Sequence, residues 1–269
     1  MLMKFGKLLI LLFLLPTSLM AQIDTLGINK IFVKKCWTDT KYVFTAPAHW
    51  NGRDWGTFGA VTASTAALFL VDDPIENGFQ NFHEWGGQTG RNISAHFLEP
   101  WGGDYSLAVI GGFLGYGLLA KNQKSQSTGL LAMESFVLAS AFVQIPKRLI
   151  GRERPDSSPD VTPYDFRGPM QGKSMPSGHT TAVFAVASVI ANQYANTRLV
   201  PILSYTVATA VGLSRVYDHR HWLSDTVAGA AIGIAVGNLV CHRKNKNSQV
   251  VVVPISSNGV RGVKLALTL

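Results

Sequence analysis

Three short stretches bring together side chains that sit poorly at the ends of apolar helices, and together they could move a phosphoryl group. The first is Lys147-Arg-Leu-Ile-Gly-Arg-Glu-Arg-Pro155, the second Pro176-Ser-Gly-His179, and the third Ser214-Arg-Val-Tyr-Asp-His-Arg-His-Trp-Leu-Ser-Asp225. Lys147, Arg154 and Arg215 are cations whose mutual repulsion is relieved when an anion sits among them. Arginine offers planar paired donors suited to phosphate, and lysine a point charge. Ser177 and Gly178 fall where a helix begins, so free backbone N–H groups and the helix dipole add to the attraction for an anion. The spacing of His221 and Asp225 predicts a shared helix face on which the carboxylate fixes the imidazole tautomer and leaves one nitrogen free to attack. His179 then serves as the acid for a leaving oxygen and as the base for the water that follows. In this scheme the cations, rather than a metal, carry the developing charge.

Six apolar segments position these stretches, at roughly 57–71, 105–120, 128–147, 179–193, 199–214 and 222–241. Each is bounded by Pro, Asn, Asp or charged residues and predicts a helix. In an up-and-down bundle the third segment ends where the fourth begins, and the fifth ends where the sixth begins. All three stretches therefore gather at one end of an all-α bundle. The sequence divides into a signal peptide (1–21), an N-terminal extension (22–56), the helical domain (57–241) and a tail (242–269). Val250-Val-Val-Val-Pro-Ile-Ser-Ser-Asn-Gly-Val260 predicts a short terminal hairpin. About 25 residues with four prolines separate the third and fourth helices, and a loop of that length is usually functional or disordered.

Composition narrows the partners. Of 269 residues 47% are hydrophobic and only 15% charged, against about 25% in ordinary globular domains. The formal charge of +8 favours an anionic partner, and with no Lys/Arg run interleaved with aromatics that partner is not nucleic acid. Lys4, Lys7, the Leu8–Leu15 run and Thr17–Ala21 have the form of a cleaved export signal; an uncleaved anchor is the alternative. Two cysteines, Cys36 and Cys241, exclude a disulfide scaffold, and both fall at the end of the bundle away from the three stretches.

Lys147-x6-Arg154-Pro155, Pro176-Ser177-Gly178-His179 and Ser214-Arg215-x5-His221-x3-Asp225 resemble, in order and internal spacing, the signature motifs of the type 2 phosphatidic acid phosphatase and vanadium haloperoxidase superfamily. The resemblance implies a helical bundle in which His221 is the nucleophile, Asp225 its orienting partner and His179 the general acid. Lys147, Arg154, Ser177, Gly178 and Arg215 become the phosphate ligands. It implies a phosphatase without a cofactor that acts on a phosphorylated lipid at a membrane surface. A soluble periplasmic acid phosphatase and, for a longer chain, a haloperoxidase with vanadate as prosthetic group are the alternatives; in a phosphatase, vanadate is an inhibitor. A non-enzymatic anion-binding protein would keep the cations without needing His221.

Other polar residues are assigned lesser roles. Asp218, His219 and Arg220 are expected as loop residues, Arg152 as an optional member of the cationic cradle, and Glu134 as a satisfied core carboxylate. Phe79, Phe82, Trp85 and Trp101 are expected to pack in the core or a loop, with a lipid-facing rim as the alternative. Positive-inside reasoning puts the three stretches outside the cytoplasm, whereas a cleaved signal followed by six crossings puts them inside. The expected location is the cell envelope with the site facing the periplasm, either in the membrane or in a soluble periplasmic form.

Overall fold

A computed structural model describes residues 30–243 in full, together with the backbone of Val250–Ser257 and Val260–Leu267. The expected signal peptide lies outside the described residues. Helices account for most of 30–243: α1 (Lys30–Thr45), α2 (Gly52–Ile93), α3 (Asp104–Leu119), α4 (Gln123–Phe142), α5 (Gln144–Ile150), α6 (Gly178–Gln193), α7 (Leu199–Tyr217) and α8 (Leu223–His242). The count of six is thereby corrected. The N-terminal extension contains α1, which apolar periodicity did not reveal. The first segment is longer than 57–71, because α2 runs on through Pro74 and the polar stretch behind it. Asn51 starts α2 with a capping box, accepting from Arg53 N and Asp54 N while Asp54 accepts from Asn51 N. The long run bends at Gly87, where φ is 53°. Val250–Ser257 and Val260–Leu267 pair antiparallel, with Ser257 opposite Val260.

α6 is the axis of the domain. Every residue from Thr180 to Ala191 is buried, so this helix has no solvent face. Ile110 and Phe113 of α3, Leu131 and Leu138 of α4, and Val236 and Val240 of α8 pack with Ala185, Val186 and Val189 of α6 in the main cluster. Ala208 and Val211 of α7 close the other side on Val183 and Phe184. Along α8, a glycine faces α6 once per turn. A β-carbon at Gly229 would stand 2.6 Å from Ser177 O, and one at Gly237 would stand 2.6 Å from Ser188 Cβ. Small residues on one ridge allow this close approach. It brings the starts of α6 and α8 together, and Ser177 N donates to Asp225 O at 3.0 Å.

Four helical stretches are long and apolar enough to cross a membrane: Gly52–Gly102, Gln123–Ile150, Leu199–Tyr217 and Leu223–His242. Only 11% of the apolar window of the first is buried, although that window is hydrophobic. Such a surface suits hydrocarbon better than water. Two of these stretches exceed the shorter sequence segments 57–71 and 199–214 because polar residues at their ends remain helical.

Candidate active site

The three stretches meet at one end of α6. Lys147 lies in the short helix α5, which stops at Gly151, a residue in the left-handed region with φ 63° and thus suited to glycine. Its ammonium faces the start of α6, and a β-carbon at Gly178 would sit 3.6 Å from Lys147 Nζ. Arg154 follows in the loop, just ahead of the one-turn 3-10 helix Pro155–Ser157. Ser177 is the N-cap residue of α6, in extended conformation, yet its side chain makes no capping bond; its hydroxyl accepts from Thr180 Oγ1 at 3.0 Å. His179 lies on the first turn of α6 and packs on Gly102, where any β-carbon would collide with the imidazole. Arg215 and His221 are joined through the backbone, His221 N donating to Arg215 O at 3.2 Å.

Electrostatics ties the same residues together. His221 is almost fully buried, and burial, with help from the Lys147 and Arg154 charges, lowers its pKa to about 4 against the pull of Asp225. It is therefore a neutral imidazole at ordinary pH. His179 is also held below the usual range, first by burial and then by Arg215, with Lys147 and Arg154 adding to it and Glu99 opposing. Burial lowers Arg154 as well, with Arg220 and Arg215 acting in the same sense. Among the described residues neither Lys147 nor Arg154 has a carboxylate within ion-pair distance, and Arg154 Nε is buried without a hydrogen-bond partner. Half-buried cations without carboxylate partners around a neutral imidazole at a helix N-terminus form a place for an anion.

Two sequence expectations are modified here. α8 starts at Leu223, so His221 precedes the helix, and the four-residue spacing to Asp225 does not place both on one helix face. His221 Nδ1 stands 3.7 Å from Asp225 Oδ2 and 3.5 Å from Ser174 Oγ. Asp225 also accepts from Trp222 N at 3.0 Å, from Ser174 Oγ, and from Arg152 NH1 at 2.7 Å. Arg152 is consequently no part of the anion cradle. Its Nε donates to Pro163 O, NH1 to Ser224 and Asp225, and NH2 to Asp72, which engages every nitrogen of a side chain that has no exposed surface. It lies 4.2 Å from the Phe69 ring centroid and 5.4 Å from that of Trp222.

Arg215 is also more engaged than expected. NH1 pairs with Glu99 Oε1 at 3.0 Å and NH2 with Asp218, whose carboxylate also accepts from Ser94 Oγ at 2.7 Å. Only Arg215 Nε is buried without a partner. Asp218 thus holds a site arginine and is no free loop residue, while His219 pairs with Glu76 and Arg220 with Asp156. Sequence reasoning passed over Glu99, Ser174 and Asp72. Asp72 did carry a signal, since a carboxylate inside the run Leu68-Phe-Leu-Val-Asp72 must find a partner if that run is helical and buried. Of the aromatics, Trp101 packs against the core, but Phe82 and Trp85 stack on each other in the open, Trp85 being 82% exposed. Among the described residues no group of three or more His, Cys, Asp and Glu side chains is disposed to hold a metal ion.

Residues 128–249 match the model of the PAP2 superfamily. It is 34% identical to the lipid A 1-phosphatase of Porphyromonas gingivalis over 43% of this chain and 24% of that one. It is 33% identical to the lipid A 1-phosphatase of Rhizobium etli (47% of this chain, 57% of that one) and 31% to phosphatidylglycerophosphatase B of Bacillus subtilis (42% and 56%). The matched region spans between a quarter and somewhat over half the length of these relatives. A crystal structure of a transmembrane PAP2 type phosphatidylglycerolphosphate phosphatase from Bacillus subtilis superposes with a TM-score of 0.38 at 23% identity, over 78% of this chain and 94% of that one.

Proposed function

We propose that this protein is a membrane-associated phosphatase that removes a terminal phosphate from a lipid through a phosphohistidine intermediate. The observation that carries the reading is the neutral, buried His221 facing Lys147 and Arg154, two cations without carboxylate partners. The phosphate oxygens lie among Lys147, Arg154, Arg215 and the N–H groups at Ser177, Gly178 and His179. Nδ1 of His221 faces Asp225 and Ser174, so Nε2 is the attacking nitrogen. It forms a P–N bond as the P–O bond to the lipid breaks, and His179 gives its proton to the departing oxygen. The dianionic phosphate offsets the Arg215, Lys147 and Arg154 charges, which together with burial lower the His179 pKa. Water then attacks phosphorus, His179 takes a proton from it, and the P–N electron pair returns to His221.

Arg215 enters this scheme by exchanging Glu99, whose side chain is 45% exposed and free to swing away, for a phosphate oxygen. Asp218 stays and holds the other edge of the guanidinium. The four apolar helical stretches support a membrane location, and Phe82 and Trp85 then belong to a lipid-facing rim near Tyr217 at the catalytic end. The site faces the periplasm in this reading.

The test is phosphate release by the purified chain. Detergent-dispersed phosphatidate, isoprenyl pyrophosphate and a lipid A 1-phosphate are compared with a small soluble phosphomonoester. Preference for a lipid by tenfold or more is expected. Equal or faster turnover of the soluble ester would replace the lipid reading with that of a broad-specificity acid phosphatase.

A further inference from the structure

Outside the three motifs, one buried side chain reaches into the site from a helix that precedes the matched residues 128–249. This is Asp72 of α2, which has no exposed surface although most of its helix is uncovered. Its Oδ2 pairs with Arg152 NH2 at 2.8 Å and accepts from Ser224 Oγ, and its Oδ1 accepts from Ser224 N at 2.9 Å. Ser224 and Asp225 are neighbours on the first turn of α8, and His221 lies just ahead of that turn. We propose that Asp72 is a positioning residue of the phosphoryl-transfer site, acting through Arg152 and Ser224 on Asp225 and thereby on His221. The inference rests on the function proposed above.

Two physical effects converge. The first is geometric. Ser224 N is among the N–H groups at the start of α8 that have no partner within the helix, and Asp72 satisfies it from a different helix. That bond, with Ser177 N on Asp225 O, fixes the turn on which the Asp225 carboxylate is mounted. Arg152, stacked on Phe69 and held by Pro163 O, joins the Asp72 and Asp225 carboxylates into one rigid unit. The second effect is one of charge. Two carboxylates share a single guanidinium, so the set Asp72–Arg152–Asp225 carries a net charge of −1 in a place with no water-exposed surface. That charge sits beside the imidazole, where Lys147 and Arg154 also feel it, and it stabilises the ring when His221 becomes positive on taking up a phosphoryl group. If Asp72 loses its charge, Arg152 turns wholly to Asp225 and the negative charge available to His221 shrinks. Buried ionisable groups on a helix of this kind are costly to keep, which argues for a use beyond stability.

Asp72→Asn keeps the shape and an oxygen for Ser224 N but removes the charge; Asp72→Glu keeps the charge and moves it by one methylene. Turnover of phosphatidate in detergent, inhibition by vanadate and thermal unfolding are measured for both variants. In the Asn variant kcat is expected to fall about a hundredfold, the loss typical of a displaced catalytic group. KM and the vanadate inhibition constant are expected to stay within threefold. Asp72→Glu is expected to recover at least tenfold of the lost kcat. Retention of kcat within threefold by the Asn variant would overturn the proposal. So would equal losses in the Asn and Glu variants, or a loss of kcat accompanied by an equal loss of vanadate binding and of melting temperature, which marks a purely structural contact. A wild-type protein that releases no phosphate from any ester overturns the functional reading itself, and with it this inference. A wild-type enzyme matched in kcat by its Asn variant overturns the role of Asp72 alone.

Discussion

The two ends of the helical domain both bury charge, and they treat it differently. At the end away from the site, Lys35 of α1 lies 2.6 Å from Asp39 and 3.0 Å from Glu134 of α4, and Arg243 lies 3.1 Å from Asp39. Two cations meet two carboxylates, so the charges balance within the cluster. At the catalytic end Lys147 and Arg154 have no such partners, and Arg215 shares its charge with a half-exposed Glu99. The nucleophilic atoms diverge in the same way. Burial, reinforced by Glu134, pushes the Cys36 thiol up to about 12, which leaves it inert, whereas burial at His221 removes a proton and leaves a usable imidazole. Desolvation favours the neutral form in both cases. For a thiol the neutral form is unreactive, and for an imidazole it is the nucleophile. A neutralised cluster holds helices together; an excess of one sign waits for a ligand.

Three measurements press on this contrast. The sharpest is His221→Ala. If His221 is the nucleophile proposed above, its removal is expected to cost at least about 10³-fold in kcat, while the melting temperature stays within a few degrees. Activity within tenfold of wild type would show that the excess cations serve something other than transfer through His221.

Next in size is the pH dependence. His221 lies at about 4 and His179 below its ordinary value, so kcat/KM, which reports the free enzyme, is expected to hold down to pH 5. It should fall as the pH drops through 4, where His221 takes up its proton, and decline on the basic side before 6.5 as His179 loses its own. An imidazole with the ordinary pKa of about 6.5 would be only about 3% neutral at pH 5. An acid limb centred near 6.5 would break the comparison. The unfolded chain binds the His221 proton below about 6.5 and the folded chain does not, so stability should decrease as pH falls from 6.5 to 4.

The smallest effect on activity is expected at the far end. Glu134→Gln leaves Lys35 short of a buried partner and should cost roughly 3 kcal/mol of stability, read as a lower melting temperature, while kcat/KM stays within threefold. A larger loss of activity than of stability would mean that the two ends communicate.

How much of this was legible beforehand depended on how local the physics is. The three motifs could be read because residue type and spacing within each carry the chemistry, and helix order alone predicts that they meet. The partner of Asp225 could not be read in this way. The four-residue spacing to His221 has its usual meaning only inside a helix, and α8 begins two residues after His221. Ser177 occupies the cap position expected of it, but its hydroxyl turns to Thr180. α1 escaped notice because its buried residues are Lys35, Asp39 and Val43, a charged stripe that apolar periodicity does not detect.

The amino-acid sequence by itself determined an all-α chain with a PAP2 pattern, the set of cations and histidines, and the end of the bundle at which they gather. These follow from periodicity, order and chemical type, which are properties of short segments. Only the tertiary structure decided which cations are spent on partners and which are left over. Arg152 and Arg154 are two residues apart and chemically identical, yet every nitrogen of one is engaged by Asp72, Ser224, Asp225 and Pro163 while the other keeps an unused buried donor. That difference arises from groups contributed by distant helices. Its physical basis is that desolvation and pairing depend on what surrounds a charge in space.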